Sequence, residues 1–193
     1  EGAIKEAGEL LDKLVKAVKT AEGASSGTAA IGEVVADDNA AKVADKASVK
    51  GIAKGIKEIV EAAGGSKKLK VAAAKGENNK GAGKLFGKAG AAAHGDSEAA
   101  SKAAGAVSAV SGEQILSAIV KAAGAAEQDG KKPGEAKNPI AAAIGKGDAE
   151  NGAEFNHDGM KKDDQIAAAI ALRGMAKDGK FAVKSGGGEK EKA

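Results

Sequence analysis

The chain has 193 residues; alanine (47) and glycine (29) supply 76 of them, and 30 basic residues nearly balance 27 acidic ones for a formal charge of +3. The absence of cysteine excludes disulfide scaffolds, cysteine zinc sites and thiol chemistry. Three aromatic rings, all Phe, leave almost nothing for base-stacking platforms, and the interspersed charge lacks the one-sided basic patch of a nucleic-acid binder.

Alanine is the strongest helix former. Val, Ile, Leu and Phe total only 33 residues, a disorder-prone share that the low net charge counters. The composition therefore predicts an all-α chain: a mostly helical, irregular, elongated Ala-rich bundle with long polar loops and little or no strand. No uncharged run exceeds the ten residues between Lys102 and Glu113, well short of the roughly 18 apolar residues that a spanning helix needs. The acidic start, Glu1-Gly-Ala-Ile-Lys5-Glu6, has no apolar centre of a signal peptide.

In chain order, Leu10, Leu11, Leu14, Val15 and Val18 step by threes and fours, a helical stripe of about two turns. Thr20 to Thr28 reads as a loop. Ile52, Ile56, Ile59 and Val60 make a second stripe, ended by Gly64-Gly65. Ser111-Gly-Glu-Gln114 is a capping box ahead of Ile115, Leu116, Ile119 and Val120. Asn138-Pro139 sets a cap residue before a first-turn proline, ahead of Ile140 and Ile144. Asp163 is placed to cap a helix carrying Ile166, Ile170 and Leu172 that ends near Gly179. Residues 37–48, 75–84, 94–98, 125–138 and 145–159 are polar, Gly-rich and aperiodic, and read as loops or weak helices without core burden. Residues 1–184 read as one helical domain and 185–193 as a flexible C-terminal linker.

Candidate chemistry is sparse. Gly81-Ala-Gly83-Lys-Leu-Phe-Gly87 resembles a phosphate-cradling loop, but its third glycine is one place late and the segment before it is polar, so a glycine-interrupted helix is the better reading. Gly51-x-x-x-Gly55 and Gly83-x-x-x-Gly87 carry too many lysines to sit in lipid and suit close helix packing. His94 and His157 lack metal-ligand spacing and read as solvated. Asp163-Asp164 suit the positive end of a helix, whereas Asp37-Asp38 have no acid-pair context. Asp148-Ala-Glu150-Asn-Gly152 has the wrong register for a calcium loop, and no G-x-S-x-G nucleophile elbow occurs. No catalytic, cofactor-binding or metal residue is expected, and no cofactor.

One resemblance goes further. Met160-Lys-Lys-Asp-Asp-Gln-Ile-Ala-Ala-Ala-Ile-Ala-Leu-Arg-Gly-Met-Ala-Lys-Asp-Gly-Lys-Phe-Ala-Val-Lys184 closely resembles the invariant region of the Vmp-like sequence variable surface lipoproteins (the VlsE family) of Lyme-disease Borrelia. Lys50-Gly-Ile-Ala-Lys-Gly-Ile-Lys-Glu-Ile-Val-Glu-Ala-Ala-Gly64 and Lys80-Gly-Ala-Gly-Lys-Leu-Phe-Gly-Lys88 are similar to other framework segments of that family. The likeness spans essentially the whole chain, and Glu1-Gly-Ala-Ile-Lys5 and Glu189-Lys-Glu-Lys-Ala193 resemble the boundaries of its recombining cassette. The family's signal peptide and acylated cysteine have no counterpart in these residues, so the chain is expected to be the cassette-encoded region.

The resemblance implies a non-enzymatic outer-surface antigen. Cassette recombination would rewrite its loops while the helical framework persists, and host antibody would be evaded. It implies host antibodies as partners, an outer-membrane location, and a lipid anchor outside this segment; no nucleic acid is expected. The invariant-like antigenic helix is carried by Met160, Asp163, Asp164, Ile166, Ile170, Leu172, Arg173, Met175, Lys177 and Phe181. Its apolar face predicts a helix largely buried in the intact fold, and variability is expected near residues 37–48, 66–79, 90–98, 125–138 and 146–159. The alternative reading is an adhesin for host glycosaminoglycan or matrix protein, with Lys67, Lys68, Lys70, Lys131 and Lys132 as candidate polyanion contacts.

Overall fold

A computed structural model of the chain describes residues 2–25, 31–37, 40–65, 69, 71–147 and 151–193. Seven α-helices follow one another among them: α1 (Gly2–Ala24), α2 (Lys46–Ala62), α3 (Ser97–Ser108), α4 (Gly112–Ala123), α5 (Pro139–Ile144), α6 (Asp163–Met175) and α7 (Glu189–Lys192), with a 3-10 helix over Lys80–Phe86. Two short parallel strands, β1 (Val34–Val35) and β2 (Phe181–Ala182), pair Val34 with Phe181 and Val35 with Ala182. The all-helical expectation, with little strand, is what the structure shows.

Local chemistry explains most helix ends. Asp45 caps α2 by accepting from the Ser48 N–H, and α2 closes where Gly65 N–H donates to the Val60 carbonyl with Gly64 and Gly65 both at positive φ. The capping box before α4 forms in both directions: Ser111 Oγ accepts from Gln114 N–H at 3.2 Å, and Gln114 Oε1 accepts from Ser111 N–H at 2.9 Å. Asn138 caps α5 with Pro139 in its first turn. Helix α3 carries no stripe of large apolar residues and is absent from the elements that periodicity predicts. Asp96 starts it by accepting from Ala99 N–H at 2.8 Å, and its buried residues are Ala99 and Ala106.

The core has two clusters. One gathers Leu85, Phe86, Phe155, Met160, Ile166, Phe181 and Val183. The other gathers Val49, Ile52, Ile119, Ile140, Ile144 and Leu172. Helices α5 and α6 lie between them. From α6, Ile166 and Ala169 enter the first cluster while Ala168 and Leu172 enter the second; from α5, Ala141 and Ala142 face one and Ile140, Ala143 and Ile144 the other.

Three expectations change. The loop expected from Thr20 is helical as far as Ala24, because Ala21 and Ala24 pack on the glycine face of α2. A Cβ on Gly51 would come within 2.5 Å of the Ala24 methyl, and one on Gly55 within 2.7 Å of the Ala21 methyl and 2.8 Å of its backbone nitrogen. The Gly51-x-x-x-Gly55 pair is thus a close helix–helix contact, as the sequence suggested. Second, the α1 stripe does not enter the core. Ala17 is that helix's buried residue, whereas Leu10, Leu11, Val15 and Val18 are exposed. Third, the polar stretches do carry core residues. Phe155, Ala136 and Ala82 are fully buried, and Ala44 nearly so. Phe155 packs edge-on against Phe86 with ring centres 5.3 Å apart. The glycines of the phosphate-loop lookalike explain how that chain reaches the centre: Gly83 and Gly87 leave room for the backbone of residues 151–155, and a Cβ on either would collide with it.

Residues 185–193, expected as a linker, carry α7, and Glu189 Oε2 accepts the Ser97 N–H at 2.8 Å. Among the described residues no single helix is long and apolar enough to cross a membrane.

Candidate functional site

The invariant-like segment is built around α6. Met160, Ile166, Leu172 and Arg173 are completely buried, Asp163, Asp164 and Phe181 nearly so, Ile170 and Met175 half-buried, and Lys177 exposed. The expected burial of this helix is what the structure shows. Helix α6 ends at Met175, four residues before Gly179, with Ala176 in extended backbone.

Asp163 does not cap the helix. Lys162 holds the cap position without a side-chain bond, and Asp163 and Asp164 occupy the first turn. Their carboxylates instead tie down the chain over residues 74–79. Asp163 Oδ1 accepts from Asn79 Nδ2 at 2.9 Å, Asp164 Oδ2 accepts from Ala74 N–H at 3.3 Å, and Asp163 N–H donates to the Gly76 carbonyl at 3.1 Å. Asp164 Oδ1 also accepts from Gln165 N–H at 2.9 Å. Two carboxylates at a helix start are favoured by the helix dipole, and here each already has a structural partner, which leaves no acid–base pair for chemistry.

Arg173 closes the other end. Its Nε–H donates to the Lys180 carbonyl at 2.8 Å, one Nη1–H to the Ala143 carbonyl at 2.9 Å, and one Nη2–H to the Lys42 carbonyl. The guanidinium also lies 5.0 Å from the Phe86 ring centre and 6.0 Å from that of Phe181. Burial pushes its pKa down to about 9 from the ordinary 12.5. Gly145, at φ 78°, gives the group its space, since a Cβ there would lie 3.1 Å from Arg173 Nη1. The sequence places Arg173 in the invariant-like helix but does not reveal it as a clamp: an arginine in a charged helix gives no local sign that it points inwards.

The remaining candidates are dispersed. Lys67, Lys68 and Lys70 lie outside the described residues, as do Asp38 and residues 148–150. Lys131 is exposed, Lys132 half-exposed. Lys131 lines a cleft of about 630 Å³ together with Lys50, Lys137, Glu127, Asp129 and Glu135. That lining mixes signs, and Asp129 is already paired with Lys46 at 2.5 Å and Lys137 with Glu127 at 3.3 Å. His94 and His157 are exposed and far apart in the chain, and the His94 Nδ1–H donates to the Gly152 carbonyl at 2.8 Å. Among the described residues no three His, Asp or Glu side chains are grouped to hold a metal ion. Ile170 and Phe181 reach the surface in a shallow groove of about 410 Å³, beside Leu85 and Val107.

An all-helical scaffold with a buried central helix and polar outer turns is the class of protein these features define. The chain belongs to the Borrelia lipoprotein family, whose model matches residues 1–193. It is 89% identical to a protein of known structure, the Lyme disease variable surface antigen VlsE of Borrelia burgdorferi, with a TM-score of 0.94 over all of this chain and 69% of that one. It is also similar to two proteins of Borrelia hermsii. Variable large protein 17 is 37% identical over 186 residues and variable large protein 4 is 39% identical over 181. The chain spans about half the length of these curated relatives, 51% and 50%. The matching family model is of a lipoprotein, and the structural neighbour is a variable surface antigen.

Proposed function

We propose that this chain is the variable, antibody-facing segment of a Borrelia outer-surface lipoprotein, and that it works by display. Its outer turns would change by cassette recombination while α6 and its supports stay constant inside. The observation that carries the reading is the burial of nine of the thirteen residues of α6 in a fold whose polar turns expose most of their charged side chains, in a chain 89% identical to a variable surface antigen. The proposed partners are host antibodies and, through a lipid anchor outside this segment, the outer membrane.

Burial corrects one part of the mechanism. Free substitution is expected at exposed turn positions such as Lys131, Glu135, Glu154 and Asn156, and not at Phe155, Ala136 or Gly152, which lie in the same stretches but pack inside. The division into one helical domain over 1–184 and a linker over 185–193 belongs to this reading; limited proteolysis should cut first within 185–188. Antibodies raised against a peptide of residues 160–184 test the display model. They are expected to bind the unfolded chain at least tenfold more tightly than the folded one, and equal binding to both would reject it. The mixed signs around Lys131 give no support to a polyanion-binding function.

A further inference from the structure

Asn151-Gly152 is the one Asn-Gly step in the sequence. Such a step can close on itself: the glycine backbone nitrogen reaches the asparagine side-chain amide carbon, and glycine has no Cβ to obstruct the ring. Both groups are free here. The Asn151 side chain is exposed, and among the described residues neither it nor the Gly152 N–H has a hydrogen-bond partner.

The chemically related steps are held back. Asp129-Gly130, Asp158-Gly159 and Asp178-Gly179 could form the same ring only through the neutral acid. Lys46 lies 2.5 Å from Asp129 and Lys161 lies 2.8 Å from Asp158, and each ammonium keeps its carboxyl ionised. At Asp178 the nucleophile is occupied, since Gly179 N–H donates to the Ala176 carbonyl at 3.1 Å. Asn79 Nδ2 donates to Asp163, and Asn138 precedes a proline, which has no N–H to attack with.

The chain after Asn151 has no slack. A Cβ on Gly152 would lie 1.9 Å from the Lys84 carbonyl oxygen, and one on Gly87 would lie 2.0 Å from the Gly152 nitrogen. The Gly152 carbonyl accepts from His94 Nδ1–H at 2.8 Å, and Phe155 N–H donates to the Lys80 carbonyl at 3.1 Å. These contacts seat residues 152–155 against the 3-10 helix and bring Phe155 to Phe86.

We infer that Asn151-Gly152 is a spontaneous modification site whose product traps the 151–155 segment out of its seat. During a local opening, the Gly152 nitrogen loses its proton to a base in solution and attacks Asn151 Cγ. The bond from Cγ to the side-chain nitrogen breaks, and ammonia leaves with a proton from solvent. Water then opens the five-membered imide. Breaking the bond from nitrogen to Cγ gives aspartate on an ordinary backbone. Breaking the bond from nitrogen to the main-chain carbonyl carbon gives iso-aspartate, whose backbone runs through Cγ and is longer by one carbon, about 1.5 Å. That extra length has no room between Gly87 and Lys84. An outward turn thereby gains a negative charge and a new shape without a change of gene, independently of the display reading.

The test incubates the folded chain in mildly alkaline water enriched in heavy oxygen and reads the peptides by mass spectrometry, with isoaspartyl methyltransferase marking iso-aspartate. Residue 151 is expected to take up one heavy oxygen, and to yield iso-aspartate roughly tenfold faster than any other described asparagine or Asp-Gly step. The iso-aspartyl chain, separated by ion exchange, should melt roughly 3 °C or more below the parent, and its Phe155 amide should lose protection. Freshly prepared Asn151→Asp carries the same charge on an ordinary backbone and should melt within about 1 °C of the parent. An intact Asn151, or iso-aspartate arising first at another step, would overturn the proposal. So would an iso-aspartyl chain that matches Asn151→Asp in melting and in Phe155 protection.

Discussion

Arg173 carries a charge with no carboxylate among its described partners, held by carbonyls from the approach to α2, the end of α5 and the turn before β2. Arg173→Met keeps the aliphatic stem and removes every donor. Each abandoned buried carbonyl costs roughly 1–3 kcal/mol, so a loss of about 3 kcal/mol in urea unfolding is expected. The folded value near 9 lies below the unfolded one, so retaining the buried charge opposes folding at neutral pH. That opposition fades as pH rises through 9. Phe155→Ala should cost about 3–5 kcal/mol, the usual penalty for emptying an aromatic site in a core, although the residue stands in a stretch that reads as a polar loop. At the exposed end, the Ser97 N–H holds the Glu189 carboxyl below its ordinary 4.5. A lowered folded value means that this bond supports docking of α7 above pH 4.5 and is lost as pH falls below it. The protection of the Ser97 amide, its exchange rate relative to the intrinsic rate at each pH, should therefore fall as pH falls through that window and stay constant across it in Glu189→Gln.

Among the elements, those with local determinants are readable in the sequence and those with remote ones are not. The capping box of Ser111 and Gln114, the Asn138-Pro139 start and the Gly64-Gly65 stop involve residues within five positions of each other. Helix α3 escapes because its packing surface is alanine, which leaves no periodic trace of large side chains. The α1 stripe is visible as a helix, but the sequence does not say which side α2 takes. Phe155 is hidden for a similar reason: its burial depends on Gly83 and Gly87, some 70 residues away, making room for its backbone. In α6 the helix and its apolar face are legible, whereas the roles of Asp163 and Arg173 depend on Asn79, Ala143 and Lys42. The α1–α2 contact gives its own prediction. Gly55→Leu cannot be accommodated against Ala21 and should detach α1, with a loss of helical circular dichroism equivalent to most of its 23 residues while the two core clusters persist. Asn138→Ala should cost about 1 kcal/mol, the usual value of a helix cap.

For the molecule as a whole, the account holds that α5 and α6 together form its least accessible part and that the turns around them open independently. Opening free energies in a folded chain run from near zero in exposed segments to the global value in the core. Native-state hydrogen exchange across all amides measures this directly. The account predicts that the amides of residues 168–172 exchange only through global unfolding, with protection that tracks denaturant stability. Amides in exposed parts of 125–135 and 151–158 should exchange orders of magnitude faster. Exchange of 168–172 through a local opening, at rates matching those turns, would contradict it.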